Sequence, residues 1–323
     1  DPTGYCLCNK TNYTDKIRFP FHLPRCQIVA SLISESLKSK PKTIDFDFEL
    51  VWSVDDLPTW TTAPISSLNW HAKPGFGSIR CPNKGGFSFP FFGSHHAFSL
   101  NSLDLFPEHP FNLDRKGIAI FRGSIERGCS FERDTVTDFN GHIVFAMQNR
   151  SGKCGRPLLY DLARKRPDLI DYQIERNKWI SLDAQERLYK YVISVEGYGG
   201  WTDRLFSLIR RSMIVFDQEH PCDQWFEPML KPFLHYIPIS HDFRNLVGRV
   251  DWANHHPNAV RAILSEARKF AKRFLSSQGV LDYILAILGA YGKAITYRPV
   301  ARTNSHPVAV LWDTTFRDNY CQV

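Results

Sequence analysis

Hydrophobic and polar positions in the second half of the chain switch repeatedly between a strand-like and a helix-like period, and that rhythm predicts an α/β fold. Gly117–Phe121 reads as a strand that closes on a glycine turn at Gly123. Leu188–Val195 (LYKYVISV) is β-branched and aromatic, and Gly197, Gly199 and Gly200 lead from it into a helical pattern over Thr202–Arg211. Met213–Asp217 and His235–Pro238 read as further strands, and Pro257–Ser276 repeats apolar residues at helical spacing with its proline near the start. Strands alternating with helices imply a parallel, doubly wound sheet. Upstream, Thr43–Val54 (TIDFDFELVWSV) alternates and then turns apolar, as a half-buried strand entering a core does. Asp55-Asp56-Leu57-Pro58 ends it, placing two carboxylates at the carboxyl end of a strand, where open α/β sheets form their ligand crevices. Cys81–Pro110 is rich in Gly, Pro, Phe, Ser and His and reads as loop, with a domain boundary expected near Asn112.

Composition narrows the class. At 323 residues, 43% hydrophobic and 23% charged, the chain is long enough for two domains with their own cores. The longest nearly apolar stretch, Val280–Tyr291, is interrupted by Asp282 and falls short of the roughly 20 residues that span a bilayer. The start at Asp1, without Met or an apolar leader, reads as a mature or trimmed terminus. The 8 cysteines contain no CxxC pair, so disulfides are expected rather than structural zinc, and 105 pairings are open to them. Sequons at Asn9-Lys10-Thr11, Asn12-Tyr13-Thr14 and Asn149-Arg150-Ser151 point to the same oxidising, glycosylating compartment. The net charge of +7 suits anionic partners such as nucleotide diphosphates. Without a zinc finger, an RNP-like aromatic strand or a lysine-rich tail, nucleic acid is not expected among them.

Two strand-to-turn elements carry candidate chemistry. At Val195–Arg211 the order strand, glycine turn, helix aims backbone N–H groups at an anion, and Arg204 sits where it would neutralise a departing diphosphate. The same residues also make an ordinary tight turn beside a surface arginine. Phe121-Arg122-Gly123-Ser124, followed by Glu132-Arg133-Asp134, is a second such element, though Arg133 could equally pair with Asp134 or Asp138 on a solvated face. Asp45-Phe46-Asp47 imitates a metal-binding Asp-x-Asp but lies in an alternating strand with both carboxylates on one face, which reads as a solvated surface. His95-His96 and His255-His256 are adjacent rather than four apart, and no metal site is expected from them.

On these residues the chain resembles the Rumi and capsule-associated-protein glycosyltransferases, glycosyltransferase family 90. Phe121-Arg122-Gly123-Ser124 with Arg133-Asp134 is similar to that family's FRGS segment and its following Arg-Asp pair, here at a longer spacing. Tyr189-Lys190-Tyr191 and the loop from Gly197 to Arg204 resemble its Tyr-Lys-Tyr strand and glycine loop, one residue longer here. Leu230–Pro238 (LKPFLHYIP) resembles its LKPWVHYIPV segment, Arg164–Asp171 resembles another of its stretches, and Val54–Pro58 resembles its V-x-D-x-P element. The likeness runs from Gly117 to Phe274, with the one further match upstream.

The resemblance implies a GT-B fold, two Rossmann-like α/β domains facing across a cleft, and an inverting mechanism without a required metal. It divides the chain into residues 1–112, an acceptor-side domain carrying the catalytic base; residues 113–285, the nucleotide-sugar domain; and residues 286–323, which pack back on the first, with Cys321 a candidate tie to Cys6 or Cys8. Asp56 aligns with the family's catalytic base, with neighbouring Asp55 the rival. Ser124, Arg133, Gly199, Gly200, Trp201, Thr202, Asp203 and Arg204 are the expected donor-binding residues. The implied co-substrate is a UDP-sugar, glucose or xylose, with no other cofactor and no metal. The acceptor is a protein or glycan hydroxyl, the chain is expected as a monomer, and its place is the ER or Golgi lumen or outside the cell. The stretch between Pro90 and Phe121 is shorter than in protein O-glucosyltransferases and lacks their tryptophan-rich acceptor loop, which puts recognition of EGF-like repeats in doubt. A catalytically silent glycan- or partner-binding relative and a metal-dependent GT-A transferase using Asp45 and Asp47 are the alternatives.

Overall fold

A computed structural model gives the fold and describes residues 5–7, 32–38, 51–53, 67–69, 100–106, 111–112, 114–125, 135–137, 143–145, 155–197, 202, 204–220, 223–294 and 309–311. The chain divides into two compact units, residues 1–98 with 280–323, and residues 99–279.

The second unit is an α/β layer structure. Its strands are β4 (Lys116–Arg122), β7 (Ile170–Gln173), β8 (Tyr189–Ser194), β9 (Ile214–Gln218) and β10 (Ile237–Ile239), and β5 (Thr135–Thr137) and β6 (Ile143–Phe145) form a separate antiparallel pair. The five form one sheet in the order β10-β9-β8-β4-β7, parallel at every pairing. The class is therefore the α/β class expected from the sequence. Helices α2 (Gly155–Lys165), α3 (Leu182–Leu188) and α4 (Arg204–Ile209) lie between successive strands, and α5 (Leu246–His255), α6 (Pro257–Phe274) and α7 (Ser277–Ala294) follow the last of them. Covering on both faces explains why the central strands are apolar throughout rather than alternating: every residue of β9 is buried, and Ala119, Ile120 and Phe121 of β4 are at most 1% exposed. Val260, Ile263, Leu264, Ala267, Phe270 and Ala271 form the buried stripe of α6, three and four residues apart, and Pro257 opens the helix where a missing N–H costs nothing.

Strand order decides where a ligand crevice can form. From β4 the chain passes to β7 on one side, then crosses over to β8 on the other, so the segments leaving β4 and β8 part in opposite directions. This is the 2-1-3-4-5 order of doubly wound sheets, whose ligands bind at the carboxyl ends of the first and third strands.

Three elements depart from expectation. Strand β7 was hidden in the sequence because its four residues alternate buried and half-buried, with Asp171 and Gln173 as the polar positions; pairing with β4 makes it a strand. Helix α4 covers only Arg204–Ile209, shorter than the helical pattern over Thr202–Arg211. Within the expected loop Cys81–Pro110, Leu100–Asp104 forms a 3-10 turn, held by Arg210, which donates to the carbonyls of Leu103 and Leu105, and by the Asp104 carboxylate, which accepts from Ser277.

In the first unit, β1 (Tyr5–Leu7) pairs antiparallel with β11 (Ala309–Leu311), β2 (Val51–Ser53) pairs parallel with β3 (Ser67–Asn69), and residues 32–38 form a helix, α1. Strand β2 is the described part of the run expected over Thr43–Val54. Asp45, Asp47, Asp55, Asp56 and Cys321 lie outside the described residues.

Candidate functional site

At the carboxyl ends of β4 and β8 two guanidinium groups meet. Arg156, in the first turn of α2, donates to the carbonyl of Ser124 just after β4 and to the carbonyl of Glu196 just after β8, both at 3.1 Å. It therefore spans the two diverging strand ends. Arg204, the first residue of α4, donates to the carbonyl of Arg122, the last residue of β4. Both guanidinium carbons lie 5.3 Å from the centre of the Phe121 ring, within cation–π range. A carbonyl partner satisfies a guanidinium donor without itself cancelling its charge, and these bonds fix both guanidinium groups at the switch point.

The platform beneath them is rigid. Phe121 is 1% exposed and meets Tyr172 edge to face at 4.8 Å, and the Tyr172 hydroxyl donates to the Gly123 carbonyl at 3.2 Å. Burial pushes the Tyr172 phenol up to about 12, against the pull of Arg156 and Arg204, so it stays a donor. Gly123 is required here: an added Cβ would lie 2.9 Å from Cζ of Phe121 and 3.4 Å from Nη1 of Arg156. On the β8 side, the Glu196 N–H donates to the Gln218 side chain at 3.1 Å, and Gln218 donates onward to the His241 carbonyl at 2.7 Å, tying the ends of β8, β9 and β10 together.

The arginine of the FRGS segment has a different task. Arg122 is buried, donating to the carbonyls of Phe121 and Asp171 at 2.8 and 2.9 Å and to the Asp171 carboxylate at 2.9 Å. Tyr189 donates to the same carboxylate at 2.5 Å. Burial would raise Asp171, but its bonds from Arg122 and Tyr189 outweigh that and hold it below the usual carboxylate value. Three of the stretches that carry the family resemblance, FRGS, Arg164–Asp171 and Tyr189-Lys190-Tyr191, thus converge in one inter-strand network. Leu230–Pro238 is also structural: Phe233 adopts φ 59°, its N–H donates to the Tyr236 carbonyl at 2.7 Å, and the tight turn delivers the chain into β10.

Of the residues expected to bind the donor, the structure brings Ser124, Thr202 and Arg204 to the switch-point edge. Ser124 is exposed there. Thr202 is buried; its hydroxyl accepts from the Arg204 N–H at 3.4 Å and its carbonyl accepts from Gln224. Arg133, Gly199, Gly200, Trp201 and Asp203 lie outside the described residues, as does Asp56. With α4 only six residues long, the guanidinium groups rather than a long helix dipole supply the positive charge. Arg156 was not foreseen. One signal could have found it: the first turn of α2 holds no acidic residue and carries this arginine instead, against the helix macrodipole, which favours negative charge there.

A second group also escaped the sequence reading. Ligand atoms of His220, Asp223 and Glu227 lie within 4.8 Å of one another, and the His220 imidazole faces both Glu227 and Asp217, the latter in β9. Burial opposes its charge, but Glu227 and Asp217 raise His220 well above its ordinary value, while burial raises Glu227. Their spacing of three and four residues in a loop matches no familiar motif. His255 and His256 each engage a carbonyl one helical turn back, those of Asp251 and Trp252, at 2.8 and 2.7 Å.

Among the described residues no helix is long and apolar enough to cross a membrane. Comparison with known proteins finds distant relatives over most of the chain. Human protein O-glucosyltransferase 1 is 23% identical over 302 residues, 86% of this chain and 69% of that protein. Zebrafish protein O-glucosyltransferase 2 is 28% identical over 114 residues, 35% of this chain and 23% of that protein. Protein 179R of Invertebrate iridescent virus 6 is 26% identical over 189 residues, 51% of this chain, which spans only 16% of that much longer protein. The signature of Glycosyl transferase family 90 covers residues 141–314, more than half of the sequence and four of the five strands of the parallel sheet, so the chain belongs to Glycosyl transferase family 90.

Proposed function

We propose that the chain is an inverting glycosyltransferase that moves a sugar, glucose or xylose, from a UDP-sugar to a hydroxyl of a protein or glycan acceptor. The observation that carries the reading is the convergence of Arg156 and Arg204 over the Phe121 ring at the β4/β8 switch point. Transfer releases a nucleoside diphosphate, and two fixed cations where that negative charge develops lower the barrier without a metal ion. Ser124 adds a hydroxyl, Thr202 and the loop through Gly199, Gly200, Trp201 and Asp203 add backbone donors, and Arg133 adds a third cation. Asp56, after the strand β2, takes the proton from the acceptor hydroxyl. The acceptor oxygen then bonds to the anomeric carbon from the face opposite UDP, the bond to the diphosphate oxygen breaks with its electron pair leaving on UDP, and the configuration inverts.

This reading places residues 1–112 and 113–285 as the two facing domains of a GT-B enzyme, with residues 286–323 returning to the first, acting as a monomer in the lumen of the secretory pathway or outside the cell. The similarity to protein O-glucosyltransferases supports the donor class. The test is UDP release from a panel of UDP-sugars, each with and without acceptor. Wild-type turnover is expected with one sugar and unchanged by added manganese or magnesium. Asp56→Asn is expected to lose about 10²–10⁴-fold in rate while binding UDP normally. Turnover that appears only with manganese would favour the Asp45 and Asp47 alternative, and a chain that neither turns over nor binds UDP would be a silent relative.

A further inference from the structure

Arg204 opens α4, and α4 has six residues, too few for a helix to persist on its own hydrogen bonds. Tertiary contacts therefore set where the guanidinium stands, and two of them come from one segment beyond β9. Two residues before Arg204, Thr202 is 7% exposed; its hydroxyl accepts from the Arg204 N–H at 3.4 Å, and its carbonyl accepts from the side-chain amide of Gln224. Gln224 is 2% exposed and is itself fixed, because its carbonyl accepts from the Glu227 N–H at 3.1 Å at the start of the 3-10 turn Glu227–Met229. The next two residues make the second contact. Phe206, the third residue of α4, meets the rings of Phe226 at 5.8 Å and Trp225 at 6.5 Å, and those two meet each other edge to face at 5.5 Å. All three rings are at most 6% exposed.

We propose that Gln224-Trp225-Phe226 is the seat of Arg204, with Gln224 a positioning residue for transfer and the two rings the bed on which α4 rests. Arg204 is then held from both ends: its backbone by Gln224 through Thr202, its guanidinium by the Arg122 carbonyl and by the Phe121 ring at 5.3 Å. A cation lowers the barrier to diphosphate departure only if it stands in place before the charge appears, so that nothing is left to reorganise at the moment of transfer. An amide suits the task. The buried Thr202 carbonyl takes a donor, and glutamine supplies one that is uncharged and leaves the field at Arg204 unaltered. The inference rests on the reading of Arg204 as a diphosphate cation, and it adds a residue that acts through Thr202 and Arg204 rather than on the diphosphate itself.

The test is a double-mutant cycle on the full chain, read by UDP release. Gln224→Met keeps the length of the side chain and removes the amide donor. It is expected to lower kcat by about 10–10²-fold, the scale of a small misplacement of a reacting group. KM for the UDP-sugar should stay within about threefold, because the lost placement matters for charge that develops only in the transition state. Added to Arg204→Ala, it should cost no more than about a further twofold, since Gln224 acts through the arginine, whereas a merely structural role would multiply the two losses. Amide hydrogen exchange gives a reading without turnover: residues 205–209 are expected to exchange faster in Gln224→Met, with β9 unchanged. Should that variant fail to fold, Phe206→Leu tests the same seat from the helix side, with the same direction in kcat and the same loss of effect on the Arg204→Ala background. A wild type that neither turns over nor binds UDP overturns the transferase reading and this role with it. A wild type that turns over, with a folded variant at wild-type kcat, with losses that multiply, or with exchange of α4 unchanged, overturns the positioning role alone.

Discussion

Two arginine sites sit at opposite faces of one short stretch of β4, and they use the same side chain to different ends. Arg122 meets the carboxylate of Asp171 in a buried pair, and its charge is consumed in joining β4 to β7. Arg156 and Arg204 reach main-chain carbonyls and the face of Phe121, which position the guanidinium groups without neutralising them through those bonds. The lesson is that an arginine's role follows from the charge of its partner. A carboxylate partner makes a structural tie, whereas a carbonyl partner positions the guanidinium without itself supplying a countercharge. Sequence motif alone places Arg122 in an element of candidate chemistry; its partners put it in the frame.

That contrast is broken most severely from the structural side. Arg122→Met should leave Asp171 partly buried beside Tyr189 without its cation and cost about 3 kcal/mol or more in urea unfolding. The crevice variants should do the reverse. Arg204→Ala and Arg156→Ala are each expected to reduce kcat/KM for UDP release by about 10²–10³, while lowering stability by no more than about 1.5 kcal/mol for the lost carbonyl bonds. Because both cations pack on the one Phe121 ring, the double variant should lose less than the product of the two single effects. Equal losses of stability across all three variants would dissolve the distinction.

Gly123→Ala sharpens the comparison by disturbing the platform alone. Its new Cβ would press on Phe121, forcing the ring or Arg156 to move, and overpacking of this kind costs about 1–3 kcal/mol. UDP affinity measured by calorimetry should fall about tenfold, in proportion to a displaced Arg156, with Tyr172 losing its bond to the Gly123 carbonyl. An unchanged affinity would mean that Arg156 is not held by this contact.

The framework of the second unit was legible because strands buried on both faces are written as apolar runs: β8 and β9 could be placed to within a residue or two from LYKYVISV and MIVFD. Strand β7 could not, since only pairing with β4 distinguishes its alternating Ile170–Gln173 from loop. Arg204 was found because a glycine turn precedes it, a local signal. Arg156 comes to the site from a different helix, and the contact joining it to Ser124 spans 32 residues, a relation no local pattern records. The surroundings of His220 were illegible for the same reason in smaller compass: Asp217 belongs to a strand and Glu227 to a 3-10 turn, and only the fold of the chain between them brings both carboxylates to one imidazole.

The subtlest expected effect isolates the Asp171 carboxylate by pH. Its folded value lies below the ordinary 3.8, since the bonds from Arg122 and Tyr189 outweigh the burial that opposes them. A depressed carboxylate contributes stability that is fully present above its unfolded value and is lost as the pH falls through the folded one. Tyr189, pushed by burial up to about 12, remains protonated across this range and keeps donating. Asp171→Asn keeps the shape but not the charge, so it should be less stable than wild type at neutral pH, and by a constant margin down to about pH 5. Below 3.8 that margin should shrink, because the protonated wild-type carboxyl comes to resemble the amide; urea midpoints for the two chains at a series of pH values measure it. Other exposed carboxylates titrate alike in both chains and drop out of the difference. A margin that stayed constant to pH 2.5 would show that the Arg122 pair holds through neutral hydrogen bonds, and the two arginine sites would then differ in geometry but not in charge.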